Sequence, residues 1–86
     1  MPTSHDFRVQ LRAWFQQTTG KGWKALEVEA RMLHRMVGGY PNGGNHRMPI
    51  CCRVMRSEMR AGDILVSAPP RGQGPSLTIR YVLPRP

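Results

Sequence analysis

The chain has 86 residues, enough for one small domain in which about 60–65% of the unfolded surface becomes buried. We therefore expect a single domain over residues 1–86, with a core within about 6–83 and a loose tail at 84–86. No stretch approaches the roughly 18 apolar residues of a membrane span, and the N-terminus lacks the basic and apolar regions of a secretory signal. A cytoplasmic protein without a membrane partner is expected.

The charge of the chain is strongly biased towards cations. The sequence holds 13 Lys and Arg residues against 5 Asp and Glu residues, which gives a formal net charge of +8 and an isoelectric point near 11.1. Such an excess favours polyanionic partners, nucleic acid first and an acidic protein surface second. Eleven of the cations are arginine, whose planar guanidinium can bind phosphate or a guanine edge with two hydrogen bonds.

Side chains that commonly catalyse reactions or bind metals are few and scattered. Cys51 and Cys52 are adjacent, so a disulfide between them would need a strained ring, and they share no usual zinc spacing with His34 or His46. The carboxylates form no paired or metal-binding motif with the histidines. We therefore predict buried, reduced thiols in a protein that is not an enzyme and has no catalytic residue, cofactor or bound metal.

The first helix is predicted from a capping pair and a helical repeat of apolar residues. Thr3 followed three positions later by Asp6 is typical of a helix N-terminus, and Thr18 with Gly20 favours the end of the helix. One side of this helix is strongly apolar, with Phe7, Leu11, Trp14 and Phe15. At this spacing the aromatic pair is more typical of a core than of a stacking platform for bases.

A second helix is predicted from residues 23–25 to Val37. Its apolar stripe consists of Leu26, Ala30, Leu33 and Val37. His34 lies near its end, where we expect a solvated or helix-capping histidine. Lys21 and Lys24 lie close to its start, where they can meet a phosphate.

Residues 38–45 are predicted to form a loop, because glycine, proline and asparagine dominate them. The four glycines resemble a phosphate-cradling loop, but no Gly-Lys-Ser or Gly-Lys-Thr follows, so a flexible connector is the favoured interpretation. Asn45 beside His46 resembles part of several nuclease sites. A single dipeptide is weak support for an enzyme.

A third helix is predicted from Pro49 to Arg60, since proline suits the first turn of a helix. At about 100° per residue its side chains divide into two faces. Three cations share one side, namely Arg53, Arg56 and Arg60. Three apolar residues share the other, namely Cys51, Met55 and Met59. The pattern indicates one face for a core and one for an anion.

Two strands are predicted after Gly62, at residues 64–68 and 76–83. In the second strand apolar and polar residues alternate, as in a half-buried hairpin strand. The connecting loop is too long and too rich in proline for a two-residue turn, so we expect its tip to project. Arg71 and Gln73 lie on that tip.

The order helix, helix, helix, strand, projecting loop, strand, with arginine on the third helix and on the loop, resembles the winged helix-turn-helix superfamily. The resemblance covers roughly Asp6 to Leu83 and is one of topology and pattern. It implies an α+β fold of three helices followed by a two-stranded β-hairpin wing, with the third helix in the major groove of DNA. The connection from Val37 to Arg47 is longer than the usual turn of that superfamily.

We therefore expect a small double-stranded DNA-binding protein, either a transcriptional regulator or a DNA-targeting component of a phage or mobile element. The expected DNA-binding residues are Lys21, Lys24, Asn45, His46, Arg47, Arg53, Arg56, Ser57, Arg60, Arg71 and Gln73. Arg8 and Arg12 are expected to add to electrostatic capture of the duplex. A homodimer is a further expectation, with Tyr40, Val54 or the C-terminal strand as its interface.

A protein-binding module is the alternative. Winged helices also dock on other proteins, and a +8 surface suits an acidic protein partner, for example as an inhibitor of a nucleic-acid enzyme. Salt-sensitive affinity for DNA separates the two functions, because it is expected for the first and weak for the second. Binding of single-stranded RNA ranks below both, since the predicted strands offer few aromatics for stacking.

Overall fold

The computed structural model describes residues 2–38 and 47–85, which form a small α+β domain of three helices and a three-stranded antiparallel sheet. The elements are α1 (Ser4–Gly20), β1 (Ala25–Glu29), α2 (Ala30–Val37), α3 (Met48–Ser57), β2 (Ile64–Ser67) and β3 (Thr78–Val82). Residues 39–46 lie outside the described residues, and with them all of the predicted connector after Gly38, the expected DNA contacts Asn45 and His46, and the expected interface residue Tyr40.

Helix α1 begins as its sequence predicts. The Thr3 hydroxyl accepts a hydrogen bond from the Asp6 amide at 3.2 Å, and the Asp6 carboxylate accepts one from the Thr3 amide at 2.8 Å. The Thr3 backbone donor also lowers the pKa of Asp6. The apolar side of the helix is buried, with Phe7, Leu11 and Phe15 in the core. The helix extends to Gly20, two residues beyond Thr18.

The predicted second helix is wrong in its first half, because Ala25–Glu29 is the strand β1. Leu26 and Val28 share one face of this strand and pack towards the core, whereas Glu27 is exposed on the other face. Core-facing and exposed side chains thus alternate along β1, as in a strand with one face on the core. This strand pairs with β3, where Glu27 lies opposite Arg80. Only Ala30–Val37 is helical. Leu26 fits the helical period together with Ala30, but it also fits the strand period together with Val28. Pairing with β3 selects the strand.

The sheet has the order β1-β3-β2, so β3 is its central strand. The two predicted strands are therefore present, but the predicted two-stranded wing is part of a three-stranded sheet. Ile79 of β3 lies opposite Val28 of β1 and Leu65 of β2. A register shift between Leu65 and Ser67 interrupts the pairing of β2. All four residues of β2 are exposed, whereas Ile79 and Tyr81 of β3 are fully buried.

Helix α3 starts at Met48, one residue before Pro49, and ends at Ser57. Arg60 is therefore outside the helix to which the sequence assigns it. Cys51 and Met55 are fully buried, as predicted. Cys52 and Val54 are buried too, so α3 turns a wider face to the core than the simple two-sided pattern indicates. Val54 is 2% exposed, which excludes the proposed dimer contact through its side chain.

His34 is fully buried, which contradicts the expected solvated or capping histidine. Its ring packs edge-on against Phe7 of α1, with the two ring centroids 5.0 Å apart. The Nε2 atom accepts a hydrogen bond of 2.7 Å from the backbone amide of Arg47. His34 thereby fixes the start of α3 against α2.

The predicted loose tail is wrong at Arg85. Its guanidinium lies over the rings of Phe15 and Tyr81, at 4.7 and 5.2 Å from their centroids. It forms an ion pair with Asp63 and donates to the carbonyl oxygen of Glu58. The chain after β3 is therefore fixed to the core up to this residue. Among the helices of residues 2–38 and 47–85, none is sufficiently long and apolar to span a membrane.

Candidate nucleic-acid interface

The exposed side of α3 carries two arginines. Arg53 and Arg56 are exposed, while Cys51 and Met55 on the opposite side are buried. Pro49 is also exposed, and its spacing from Arg53 and Arg56 places all three on one stripe of the helix. The predicted exposure of Arg53 and Arg56 on one helical face is therefore confirmed, whereas Arg60, the third predicted member, lies beyond the end of the helix.

The proline and glycine content of the loop between β2 and β3 predicts a projecting tip. In the structure this loop is instead hydrogen-bonded to α3. The Nη2 atom of Arg56 donates a hydrogen bond of 2.8 Å to the carbonyl oxygen of Gly72. Gly72 has a φ of 80°, and its amide closes a turn onto the Pro69 carbonyl at 2.8 Å. A side chain would be strained in this left-handed conformation, so the turn that meets Arg56 depends on glycine.

Cys52 makes a second connection between α3 and this loop. Its thiol donates to the Gly74 carbonyl oxygen at 3.4 Å, and the Gly74 amide donates back to the sulfur at 3.3 Å. Burial raises the pKa of Cys52, so the thiol remains a protonated donor at neutral pH. The reciprocal pair holds the loop at a fixed distance from the helix.

The neighbouring thiol of Cys51 points into the core. It donates to the carbonyl oxygen of Ala30 at 3.6 Å, and burial raises its pKa to about 12. Both cysteines are free and buried, which confirms the prediction of reduced, buried thiols. The two adjacent cysteines thus have different roles, since Cys51 packs α3 onto α2 and Cys52 holds the loop.

A groove of about 400 Å³ separates the first turn of α3 from the loop. It is lined by Met48, Pro49, Arg71, Gln73, Gly74 and Pro75. Arg71 and Gln73 are exposed beside the exposed stripe of α3. We call the surface formed by Arg53, Arg56, Arg71 and Gln73 the α3–loop face. This face combines residues of α3 with residues of the loop between β2 and β3, which the sequence predicts as two separate segments.

Each of the five Asp and Glu side chains already has a partner in the structure. Asp6 accepts from the Thr3 amide, Glu27 pairs with Arg80, Glu29 with Arg31, Glu58 with Arg8 and Arg12, and Asp63 with Arg85. Within residues 2–38 and 47–85, Arg53, Arg56 and Arg71 have no carboxylate within 4.0 Å. The α3–loop face therefore presents three positive charges without a compensating negative one.

Glu58 partly neutralises the two arginines that were expected to help capture DNA. Its carboxylate lies 2.9 Å from Nε of Arg12 and 3.4 Å from Nε of Arg8. The hydrogen bond from Arg12 is the main cause of the lowered pKa of Glu58. Arg8 also donates to the Ser57 hydroxyl at 3.4 Å, so the expected DNA contact Ser57 lies beside this charged cluster.

Three of the other expected DNA contacts lie away from the α3–loop face. The carbonyl of Lys24 accepts a hydrogen bond from the Leu83 amide, at the end of β3 opposite to the loop, and Lys21 caps the end of α1. The Arg60 amide donates to Asp63 in the turn after α3, and Arg60 lines a hollow beside α1. The structure therefore does not bring Lys21, Lys24 or Arg60 together with Arg53 and Arg56.

Arg47 and Cys52 show what can and cannot be inferred from sequence alone. Arg47 is half-buried and precedes α3, so it remains adjacent to the first turn as expected. The sequence predicts only burial for Cys52, although this residue lies on α3 next to the arginine stripe. Its partner Gly74 is far along the sequence, and no local pattern reveals that pairing.

No group of three His, Cys, Asp or Glu side chains that could hold a metal ion occurs within the part of the chain that the structure describes. Cys51, Cys52 and His34 are buried and take part in packing. Comparisons of the chain with models of known protein families, with curated proteins and with solved structures give no match.

Proposed function

We propose that this domain is a winged helix that binds double-stranded DNA through the α3–loop face, as a regulator or as a DNA-targeting component of a phage or mobile element. The observation that carries the proposal is the set of three arginines, Arg53, Arg56 and Arg71, that have no carboxylate partner among the described residues. Each Asp and Glu side chain is engaged elsewhere, so the charge of this face is available to a polyanion.

The order of elements supports the winged-helix part of the proposal. Helix α3 is followed by the antiparallel strands β2 and β3, and the loop between them lies beside the exposed stripe of that helix. This arrangement keeps the order of third helix, strand, loop and strand on which the sequence resemblance is based, although the loop is bonded to α3. The third strand, β1, is compatible with it because it pairs on the far side of β3.

The dimensions of the face suit a duplex. Helix α3 has 10 residues and is therefore about 15 Å long, and a major groove about 12 Å wide admits one helix. Arg53 and Arg56 would face the groove, with base edges or phosphates as partners, while Arg71 and Gln73 would contact the adjacent backbone. The bonds from Arg56 and Cys52 to the loop keep the two parts in one orientation before DNA arrives.

The proposal is tested by fluorescence anisotropy with a labelled random-sequence duplex at salt concentrations from about 50 to 300 mM. We expect dissociation constants between about 1 and 100 µM and a steep salt slope for the wild-type chain. The triple variant R53A/R56A/R71A should bind at least tenfold more weakly. Its salt slope should fall by up to about 2.7, since each phosphate contact contributes about 0.9.

A matched control removes the same charge elsewhere. Lys21, Lys24 and Arg35 are exposed, and K21A/K24A/R35A also loses three cations. Binding that depends on the α3–loop face predicts a much smaller loss for this control. Equal losses in the two triple variants would show that net charge, and not this face, attracts DNA. Absence of duplex binding at 50 mM salt would reject DNA binding altogether.

A further inference from the structure

A second exposed surface lies on the helices α1 and α2. Two adjoining hollows of about 260 and 340 Å³ share Trp14 and Met32. We call their combined surface the α1–α2 groove, with Trp14, Leu26, Met32 and Met36 as its apolar part and Lys21 and Arg35 as its charged part. No residue of α3 or of the loop between β2 and β3 lines it.

The methionines of this groove are unusually exposed for the chain. Met32 and Met36 are 45% and 59% exposed, whereas Met48 and Met55 are buried at 3% and 0%. On α2, Met32, Arg35 and Met36 follow the spacing of one helical side, and Leu33 with His34 occupies the buried side. Flexible methionine side chains can adapt to an apolar partner, and grooves of this kind accept amphipathic helices.

The charges of the groove select the type of partner. Among the described residues, Lys21 and Arg35 have no carboxylate within 4.0 Å, and the carboxylate of Glu27 at the groove margin is bonded to Arg80. An apolar surface flanked by two unneutralised cations complements a helix with an apolar stripe and acidic flanks. A second copy of this chain is a poor match, because it carries a net charge of +8 and its carboxylates are already bonded.

We propose that the α1–α2 groove binds an acidic amphipathic helix of a partner protein. The apolar stripe of that helix packs on Trp14, Met32 and Met36, and its carboxylates face Lys21 and Arg35. This proposal is independent of DNA binding. Because the groove and the α3–loop face share no residue, the domain can hold the partner and a duplex at the same time.

The test starts with a phage-displayed library of 16-residue helical peptides selected against the wild-type chain. We expect enriched peptides with apolar residues at i, i+3, i+4 and i+7 and with Asp or Glu beside them. The best peptide is then synthesised with a fluorescent label, together with a copy in which every Asp and Glu is replaced by Lys. In anisotropy titrations the lysine copy should bind at least tenfold more weakly.

Variants locate the peptide on the molecule. M32Q/M36Q should weaken binding of the acidic peptide at least tenfold, and R35E should shift the preference towards the lysine copy. V9Q/V82Q serves as the matched control, because Val9 and Val82 are 53% and 43% exposed and do not line the groove. This control should bind the peptide as the wild-type chain does.

Three outcomes would overturn the proposal. One is a selection that enriches no peptide or only peptides without acidic residues. Another is equal loss of peptide binding in M32Q/M36Q and V9Q/V82Q. The third is a wild-type dimer in sedimentation analysis that becomes monomeric in M32Q/M36Q, which would make a second copy the occupant. Duplex binding is measured in parallel, and its failure would leave the peptide result unaffected.

Discussion

Arg85 and Asp63 form an ion pair inside the domain, with Nη1 of the arginine 3.0 Å from each carboxylate oxygen. The side chain of Asp63 is fully buried and that of Arg85 is 7% exposed. The same carboxylate accepts hydrogen bonds from the backbone amides of Arg60 and Val82, at 2.7 and 2.8 Å. One carboxylate therefore joins the exit of α3, the end of β3 and the segment after it.

Removal of one partner of the Asp63–Arg85 pair should reduce the stability of the fold. D63N leaves the Arg85 guanidinium buried without its counter-charge, so we expect the free energy of unfolding to fall by about 3–5 kcal/mol. Urea denaturation at neutral pH measures the change. E27Q is the control, because Glu27 and Arg80 form an exposed pair whose loss should cost less than about 1 kcal/mol. Similar midpoints for D63N and E27Q would contradict the structural role of Asp63.

Glu58 should contribute to the loss of stability in acid. Its pKa is held below the usual value of 4.5 by Arg12 first and then by Arg8. The ionised carboxylate therefore stabilises the fold above about pH 4.5, and this contribution disappears as the pH falls through the lower folded pKa. E58Q should show a flatter decline of unfolding free energy between about pH 5 and 2.5, measured by urea titration. Asp6 should leave a residual slope, and equal slopes in wild type and E58Q would contradict the prediction.

The two cysteines should separate DNA binding from stability. C52A removes the reciprocal bond to Gly74, so the loop should move more freely and duplex affinity should fall about three- to tenfold. Trypsin should then cleave faster after the exposed Arg71. C51A should reduce the free energy of unfolding by about 1–3 kcal/mol with duplex affinity unchanged, because its thiol contacts Ala30 in the core. Equal losses of duplex affinity in C52A and C51A would contradict these separate roles of the two cysteines.

Tyr81 should stabilise the end of α3 through its hydroxyl. The phenol donates a hydrogen bond of 2.8 Å to the carbonyl oxygen of Met55, one of the last four carbonyls of the helix, which lack an intrahelical donor. Burial raises the pKa of Tyr81, so the phenol stays protonated at neutral pH. Y81F keeps the ring against Phe15 but leaves this carbonyl unsatisfied, so unfolding should require about 1–3 kcal/mol less. An unchanged urea midpoint would mean that water replaces the hydroxyl.

Local patterns predict α1 and most of α3 because their determinants are close together in sequence. The capping pair of Thr3 and Asp6 is formed by residues three positions apart, and the contrast between Arg53 and Met55 is visible within one turn. Strand β1 is missed for the opposite reason. Leu26 and Val28 form a strand because β3 pairs with them. Residues near them in the sequence do not indicate that pairing.

In the candidate site, too, features set by neighbouring residues are predicted and contacts between distant residues are missed. The arginines of the α3–loop face are predicted from the helical period and from the composition of the loop. The bond from Arg56 to Gly72 and the bond from Cys52 to Gly74 join segments that are separated by the turn after α3 and by β2. Such contacts are products of the tertiary fold, as is the burial of His34 against Phe7.

The strand order β1-β3-β2 also determines when the sheet can assemble. Both outer strands pair with β3 and not with each other, and β3 follows them in sequence. As the chain emerges from the ribosome, Leu26 and Val28 of β1 have no strand to pair with while α2, α3 and β2 are being made. The hairpin of β2 and β3 closes a short loop, whereas β1 must close a much longer one. The expected order of assembly is therefore hairpin first and β1 last.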